Sequence, residues 1–255
     1  MPTPEQSPTP QPKAKKDLYL QLEPFVRPYV RHHFDVNVQG LDNIPDGPAF
    51  FLSNHVMAQD SVIFASAFTQ HTGRPIRFGA KMEYFDGRGI DGLGKRGRLT
   101  KWAMEHTGQF PVDRDGDDPR AFMRLQANMK EAVERGDSIG LYPEGTRNKE
   151  FLQDHKMHKF QSGAGRIALS LGIPIVPYAH VYTTHSNERR IDADVIIGEP
   201  IMPEVYLGEP IKHLPNKLKA EYLMQMVENR VADLGGLHQS GVFALRQTVR
   251  LPGKK

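Results

Sequence analysis

The sequence contains no cysteine, no hydrophobic run of membrane-spanning length and little net charge, +3 over 255 residues. The absence of cysteine excludes disulfide bonds, thiolate zinc sites and cysteine nucleophiles. Residues 167–187 carry no charged side chain, but Gly172, Pro174 and Pro177 interrupt them, and their apolar part is far shorter than the roughly 20 residues that a bilayer span needs. The composition, 38% hydrophobic and 25% charged, is typical of a globular protein with its own core.

The first 34 residues differ from the rest of the chain. Residues 1–16 are rich in proline and lysine and are predicted to form a disordered tail. They lack the apolar core of a signal peptide, so we expect a cytoplasmic protein. Residues 17–34 are amphipathic, and Pro24 and Pro28 are expected to prevent one long regular helix. This element is expected to pack on the body or to lie in a membrane interface.

Positive charge is concentrated in one segment of the chain. Residues 74–101 contain eight basic and three acidic residues, whereas the remaining chain contains 25 basic and 27 acidic residues. This distribution indicates an anionic partner, which could be a phosphate group, an acidic protein or a lipid surface. The alternative is a glycine-rich loop whose charges are merely solvated.

From residue 35 onward, strand-length apolar runs alternate with helical patterns. The apolar runs lie at residues 36–38, 48–52, 138–142, 173–176 and 194–197, and the helical patterns lie at residues 61–68, 119–134, 162–171 and 216–234. This alternation predicts an α/β sheet domain with one core.

Several short motifs match by chance. The G-x-S-x-G at residues 136–140 places its serine at the start of a strand, whereas a nucleophile elbow requires a strand-to-helix turn. The G-x-G-x-x-G at residues 87–92 is followed by residues 93–97, which are poor helix formers, so a dinucleotide site is not expected. Arg96 stands where a phosphate-binding P-loop requires Ser or Thr.

His55 and Asp60 are the first candidates for catalysis. On one continuous helix, residues five apart would point about 140° away from each other. They can meet if His55 lies in the loop after the run at 48–52 and Asp60 begins the next helix. An aspartate that holds Nδ1–H leaves Nε2 free to accept a proton. The pair is therefore predicted to be a general base that activates a substrate hydroxyl.

Three further blocks carry candidate binding residues. In residues 139–148 an apolar strand leads into a loop with Glu144, Gly145 and Arg147, which could bind a small anion. Residues 108–114 end in a second arginine, Arg114, and residues 172–177 form an apolar strand bracketed by prolines. Taken singly, each block is compatible with ordinary surface or core structure.

Together and in this order, the four blocks resemble the glycerolipid acyltransferases of the PlsC-like lysophosphatidic acid acyltransferase family. Residues 54–60 match the NH-x4-D motif, 108–114 the second motif, 142–147 the FPEGTRS motif and 172–177 the fourth, and residues 159–168 fit the helix before it. The resemblance covers about residues 34 to 200. Tyr142 replaces the usual Phe, Asn148 replaces the usual Ser, and residues 86–98 look like an insertion.

The resemblance implies a single-domain mixed β-sheet flanked by helices, and transfer of a fatty acyl chain from acyl-CoA or acyl carrier protein. The acceptor it implies is the sn-2 hydroxyl of 1-acylglycerol 3-phosphate, so that the product is phosphatidic acid. His55 is expected to be the base and Asp60 its orienting partner. The residues expected to bind the acceptor phosphate are Arg114, Glu144, Gly145, Thr146, Arg147 and Lys81. On this basis residues 35–215 form the acyltransferase domain, and residues 216–255 form a C-terminal helix and tail.

The implied partners are the thioester donor, the lysophospholipid and a membrane surface that the protein contacts peripherally, with no nucleic acid. No metal or bound cofactor is expected, although Asp154, His155 and His158 have the spacing of a possible metal site. Two alternatives stay open: acylation or transacylation of another polar lipid, and a non-catalytic module that binds lipid or carrier protein.

Overall fold

The centre of the protein, seen in a computed structural model, is a mixed β-sheet of seven strands. The structure describes residues 17–87, 95–113, 120–148, 155–183, 190–203 and 208–239. The predicted tail at residues 1–16, Asp154 and Arg114 therefore lie outside the described residues.

The strands are β1 (Phe34–Gln39), β2 (Phe50–Ser53), β3 (Ile76–Lys81), β4 (Phe110–Val112), β5 (Ser138–Leu141), β6 (Lys156–Met157), β7 (Ile175–Thr183), β8 (Ile191–Ile197) and β9 (His238–Gln239). The central sheet has the order β1-β8-β7-β2-β5-β3-β4, and β6 pairs separately with β9. Strands β7 and β8 are antiparallel, whereas all other neighbours in the sheet are parallel. The predicted α/β fold with a mixed sheet is confirmed.

The helices are α1 (Leu18–His33), α2 (Asp60–Thr72), α3 (Lys95–His106), α4 (Ala121–Glu134), α5 (Ser162–Leu171), α6 (Glu209–Lys212) and α7 (Asn216–Gly235). Helix α7 packs on β7, α5 packs on α7, α4 packs on β4 and β5, and α1 packs on α2. A Cβ atom at Gly165 would lie 2.4 Å from the carbonyl oxygen of Ala220, so the close crossing of α5 and α7 requires glycine there. Among the described residues, no helix is both long enough and apolar enough to cross a membrane.

Five strands of the sheet run in one direction, which decides where functional residues collect. Leu52 of β2 pairs with Leu141 of β5, and Lys81 of β3 pairs with Val112 of β4. The carboxyl ends of β2, β3, β4 and β5 therefore meet at one edge of the sheet, where ligands usually bind in α/β proteins. All four residues of β2 are buried, and the first three of them are apolar, as expected for a strand inside a sheet covered on both faces.

Helix α1 contradicts the expectation that its prolines prevent one regular helix. It runs unbroken over 16 residues with Pro24 and Pro28 inside it. The two prolines are four residues apart, lie on the same side of the helix and are exposed, so water can solvate the carbonyl groups that lose their partners. Asp17 caps the helix by accepting a hydrogen bond from the Tyr19 amide at 2.9 Å.

Helix α3 contradicts the second expectation about backbone structure. Residues 93–97 were expected to be a poor helix, yet α3 begins at Lys95 and includes Gly97. Gly97 is buried, and the following turns place Thr100, Ala103 and Met104 on the wall of a cavity. Packing of one helix face commonly outweighs weak helix propensity at the start of a helix.

Strands β3 and β4 were not predicted as strands.

Candidate active site

The His55–Asp60 pair lies at the carboxyl edge of the sheet, between the end of β2 and the start of α2. His55 is in the loop and Asp60 is the first residue of α2, as their spacing requires. Nδ1 of His55 lies 2.8 Å from Oδ2 of Asp60. The His55 side chain is 21% exposed and lines a large cavity, whereas Asp60 is completely buried. This geometry places a hydrogen-bonded imidazole beside the space that a substrate could enter.

Asp60 is surrounded by hydrogen-bond donors. Its Oδ2 accepts from the amides of Val56 at 2.7 Å and Met57 at 3.0 Å, and its Oδ1 accepts from the hydroxyl of Tyr182 at 2.6 Å. Burial acts to raise the pKa of Asp60, but His180 and the hydrogen bonds from His55 and Tyr182 outweigh it and leave this pKa below its ordinary value. Asp60 therefore stays ionised beside His55.

Aromatic stacking sets the orientation of the His55 ring. The ring lies on Tyr142 with centroids 4.2 Å apart and planes inclined by 11°. Tyr142 in turn stacks with Phe78 of β3 at 5.7 Å. The Phe78 ring can lie against Gly140 because glycine has no side chain. A Cβ atom at this position would lie 2.2 Å from the ring. The stack leaves the imidazole little freedom to rotate away from Asp60.

Glu144 connects the two loops that form the site. Its Oε1 accepts a hydrogen bond from the His55 amide at 2.7 Å, and its Oε2 accepts one from the His158 amide at 3.0 Å. Burial raises the pKa of Glu144 to about 8, although these two hydrogen bonds act to lower it. The Asn148 amide also donates to the carbonyl of His55 at 2.7 Å. Glu144 thus has protein partners at both oxygens, and its contact with substrate stays a prediction.

The predicted anion-binding residues line the same cavity. Gly145, Thr146 and Arg147 are exposed in the loop after β5, and Lys81 ends β3. Gly145 has a φ of 72°, in the left-handed region that favours glycine. Because β3 and β5 are neighbours with the same direction, Lys81 and Arg147 lie at the same edge of the sheet. Arg114 follows β4 but lies outside the described residues.

The cavity has a volume of about 1,210 Å³ and is mostly apolar away from these charges. Its walls come from five helices and the edge of the sheet. The apolar residues that line it include Leu22, Val26, Val62, Ala65, Ala103, Met104, Val112, Phe122, Leu125, Leu141 and Ile167. The apolar part of such a cavity suits a hydrocarbon chain, and the cationic side chains that line the same cavity suit a phosphate group.

The residues behind the His55–Asp60 pair, which is called the dyad below, were not identified from the sequence. Tyr178, His180 and Tyr182 are fully or almost fully buried on β7. They occupy alternate positions and thus one face of the strand. Three aromatic residues with polar tips at alternate positions of an otherwise apolar strand were a signal that could have been noticed. The side chain of Asn54 both donates to the His180 carbonyl and accepts from the His180 amide, each at 2.8 Å, and so connects this strand to the loop that carries His55.

Comparison with known proteins finds relatives of this chain in sequence. The chain is 32% identical over 146 residues to a chloroplastic 1-acyl-sn-glycerol-3-phosphate acyltransferase of Brassica napus. The matched region covers 56% of the chain and 36% of that protein. The chain is also 31% identical over 182 residues to a chloroplastic 1-acyl-sn-glycerol-3-phosphate acyltransferase of Arabidopsis thaliana. Here the matched region covers 66% of the chain and 44% of that protein. The chain therefore spans less than half the length of these two relatives.

A solved structure shows the same fold. The crystal structure of the 1-acyl-sn-glycerophosphate (LPA) acyltransferase PlsC from Thermotoga maritima superimposes with a TM-score of 0.53 and 22% identity, over 84% of this chain and 80% of that one. The profile of the family described as Acyltransferase matches residues 35–181, which include the dyad, the loop after β5 and most of β7. By fold, motif order and family profile, the chain belongs to the Acyltransferase family.

Proposed function

We propose that this protein transfers a fatty acyl chain from a thioester to the sn-2 hydroxyl of 1-acylglycerol 3-phosphate and so forms phosphatidic acid. The observation that supports this most directly is the His55–Asp60 pair, which opens onto an apolar cavity with cationic side chains at the same edge. The relatives are named 1-acyl-sn-glycerol-3-phosphate acyltransferases, which agrees with this acceptor.

The dyad supplies the base for a direct transfer. Nε2 of His55 takes the proton of the acceptor hydroxyl while the oxygen attacks the thioester carbonyl. Asp60 holds Nδ1–H and stabilises the imidazolium that forms. The tetrahedral intermediate then collapses, the carbon–sulfur bond breaks, and the leaving thiolate takes the proton back from His55. The nucleophile belongs to the substrate, so a chain without cysteine can carry out this reaction with no cofactor beyond its co-substrate.

The acceptor phosphate is proposed to bind Arg147 and Lys81, with the Thr146 hydroxyl and Arg114 completing the site. Arg147 is exposed and makes no ion pair with the described residues, so its guanidinium is available for a bidentate contact. The acyl chain of the donor is proposed to enter the apolar cavity. Acyl-CoA and acyl carrier protein both present the required thioester.

The protein is proposed to contact a membrane peripherally, from the cytoplasmic side, through α1 and α3. Helix α1 exposes Phe25 (76%) and Tyr29, and α3 exposes Leu99 (64%) and Trp102 (43%) beside its basic residues. Apolar side chains next to Lys and Arg are typical of helices that lie on anionic bilayers. Both helices also line the cavity, so the contact would bring the site next to its lipid substrate.

The proposed reaction is tested with purified protein, acyl-CoA or acyl carrier protein as donor, and a panel of lysolipids, with thiol release and lipid product measured together. We expect phosphatidic acid from 1-acylglycerol 3-phosphate, and a loss of about 10²–10⁴-fold in His55→Ala, as is typical of general-base catalysis. His71→Ala, an exposed histidine at the end of α2, is the matched control. A folded, fully active His55→Ala protein would exclude the proposed mechanism.

The membrane contact has a built-in probe, because Trp102 is the only tryptophan of the chain. Vesicles that contain anionic phospholipid should shift its fluorescence to shorter wavelength and carry the protein down on sedimentation, whereas zwitterionic vesicles should do so weakly. Leu99→Asp should weaken both effects. An unchanged Trp102 spectrum on sedimented protein would contradict a contact through α3.

A further inference from the structure

We infer that Tyr182 is a positioning residue that fixes Asp60, and through it His55, relative to the sheet. The inference rests on the proposed function only for its kinetic readout. Tyr182 lies 122 residues after Asp60 in the sequence, yet its hydroxyl donates to Oδ1 of Asp60 at 2.6 Å, the shortest of the contacts to this carboxylate. Both side chains are buried.

The other donors to Asp60 cannot serve as an anchor. They are the His55 ring and the amides of Val56 and Met57, which all belong to the loop that carries the catalytic histidine. If this loop shifts, these donors shift with it. Tyr182 projects from β7, an interior strand of the central sheet, and so its hydrogen bond connects the dyad to the sheet.

The two oxygens of Asp60 also depend on Tyr182 differently. Oδ2 accepts from His55 and from both loop amides. Among the described residues, Oδ1 accepts only from Tyr182 and, at 3.1 Å, from the Met57 amide that it shares with Oδ2. Without the Tyr182 hydroxyl, Oδ1 would be a buried carboxylate oxygen with one shared donor. Such an oxygen is costly to leave unpaired, and the carboxylate would gain freedom to rotate away from Nδ1 of His55.

The phenol of Tyr182 is itself held in place. The ring of His180 stacks on it with centroids 5.9 Å apart and planes inclined by 5°. His180 is fully buried. The side-chain amide of Asn54 accepts a hydrogen bond from the backbone N–H of His180 and donates one to its carbonyl group. Asn54 directly precedes the catalytic histidine, so strand β7 and the loop are joined at two points, through Asn54 and through Tyr182.

Tyr182→Phe tests the inference, because it removes the hydroxyl and keeps the ring. Tyr222→Phe is the control: it removes the same phenol hydroxyl from a half-buried residue of α7 that does not line the cavity. We expect kcat of Tyr182→Phe to fall about 10- to 100-fold, the value of a hydrogen bond to a charged group. The acceptor KM should stay within about twofold, because the phosphate site is untouched. Tyr222→Phe should leave both constants unchanged.

Two further measurements separate positioning from a general loss of structure. In the Asp60→Asn background, Tyr182→Phe should cost far less in kcat than in the wild type, because residues that act through one contact are not additive. The NMR signal of the His55 Nδ1 proton, assigned by its loss in His55→Gln, should disappear or move in Tyr182→Phe and persist in Tyr222→Phe. This signal does not depend on any substrate, so it is informative even if the protein proves to have another activity.

Additive effects of the two substitutions, or an unchanged Nδ1 proton signal in folded Tyr182→Phe, would overturn the inference. A fall in kcat that thermal unfolding traces to partly unfolded protein would also do so if the NMR signal of the folded fraction is that of the wild type.

Discussion

At the scale of single residues, two buried carboxyl groups in one site have opposite properties. Asp60 receives donors from two side chains and two amides, and its pKa is lowered in spite of burial. Glu144 receives two backbone amides and lies 3.5 Å from Nδ1 of the half-exposed His158 ring, and burial raises its pKa to about 8. The number and kind of donors, rather than depth alone, decide which carboxyl group is charged at neutral pH. Asp60 is thus charged beside His55, whereas Glu144 joins two loops.

The raised pKa of Glu144 predicts a pH-dependent effect of Glu144→Gln. Glutamine can accept from one amide but turns its NH₂ group towards the other, so the variant should lose about 1–3 kcal/mol of unfolding free energy near pH 5. A carboxyl group whose pKa is raised on folding stabilises the protein fully below about pH 4.5, and that stability is lost as pH rises through about 8. The deficit of the variant should thus shrink between pH 5 and pH 8 in urea unfolding. A deficit that grows with pH would contradict the assignment.

Arg147→Ala tests the phosphate site. Loss of a charged hydrogen bond of about 1.5–3 kcal/mol should raise the acceptor KM roughly 10- to 100-fold and leave the donor KM nearly unchanged. Arg135→Ala, which removes an exposed arginine paired with Glu131, serves as the control and should change neither constant. Steady-state kinetics with each substrate varied in turn measures both values. An unchanged acceptor KM would remove Arg147 from the phosphate site.

At the scale of elements, α1 forms one wall of the cavity. Tyr19, Leu22 and Val26 of this helix line the cavity. The helix is held at its start by Asp17, which caps it and also pairs with the buried Arg77 of β3. Arg77 further pairs with Asp137 at 3.1 Å and stacks over the Tyr19 ring at 5.2 Å. Arg77 therefore attaches α1 to the beginning of strand β3.

Asp17→Ala should loosen α1 specifically. The lost cap alone should cost about 1 kcal/mol, and the lost ion pair adds to it. Hydrogen exchange should accelerate in α1 while the exchange of β2 and β7 stays slow, because α1 packs on the body at its surface. Asp35→Ala, which removes an exposed partner of Arg190, is the control. Uniform acceleration across the sheet would show that α1 is not a separate unit.

At the scale of the whole molecule, the polar residues behind the dyad make the core sensitive to acid. His180 is fully buried within the central sheet, and its Nε2 has no hydrogen-bond partner among the described residues. Burial lowers the pKa of His180 to about 4, although Asp60 acts to raise it. The folded protein therefore carries a neutral histidine that the unfolded chain would protonate at mildly acidic pH.

His180→Phe should reduce this acid sensitivity. A histidine whose pKa is lowered on folding costs stability as pH falls from about 6.5 towards 4, because the unfolded chain binds the proton first. The change from 6.5 to about 4 corresponds to about 3 kcal/mol of unfolding free energy. The bonds to Asn54 use the backbone of residue 180 and survive the substitution. Urea unfolding at pH 7 and pH 4.5 should show a smaller loss for the variant; equal losses would contradict this origin.

Local sequence determined a large part of this protein. The alternation of apolar runs and helical patterns predicted the α/β class, and helix α5 was predicted with its observed ends at residues 162 and 171. The five-residue spacing of His55 and Asp60 required a loop followed by a helix start, which the structure shows. Such features depend on neighbours within a few residues, so they can be derived from the sequence.

Only the tertiary structure decided the rest. The unbroken course of α1 through two prolines and the start of α3 at Lys95 follow from packing and solvation, which outweigh local propensity. Tyr182 reaches Asp60 across 122 residues and Glu144 reaches His55 across 89 residues, because the sheet brings their strands together. Hydrogen bonds of this kind have no local signature, and neither does the volume enclosed between helices from distant parts of the chain. The sequence thus specified the His55–Asp60 pair, whereas the fold specified what holds the pair in place and the space that faces it.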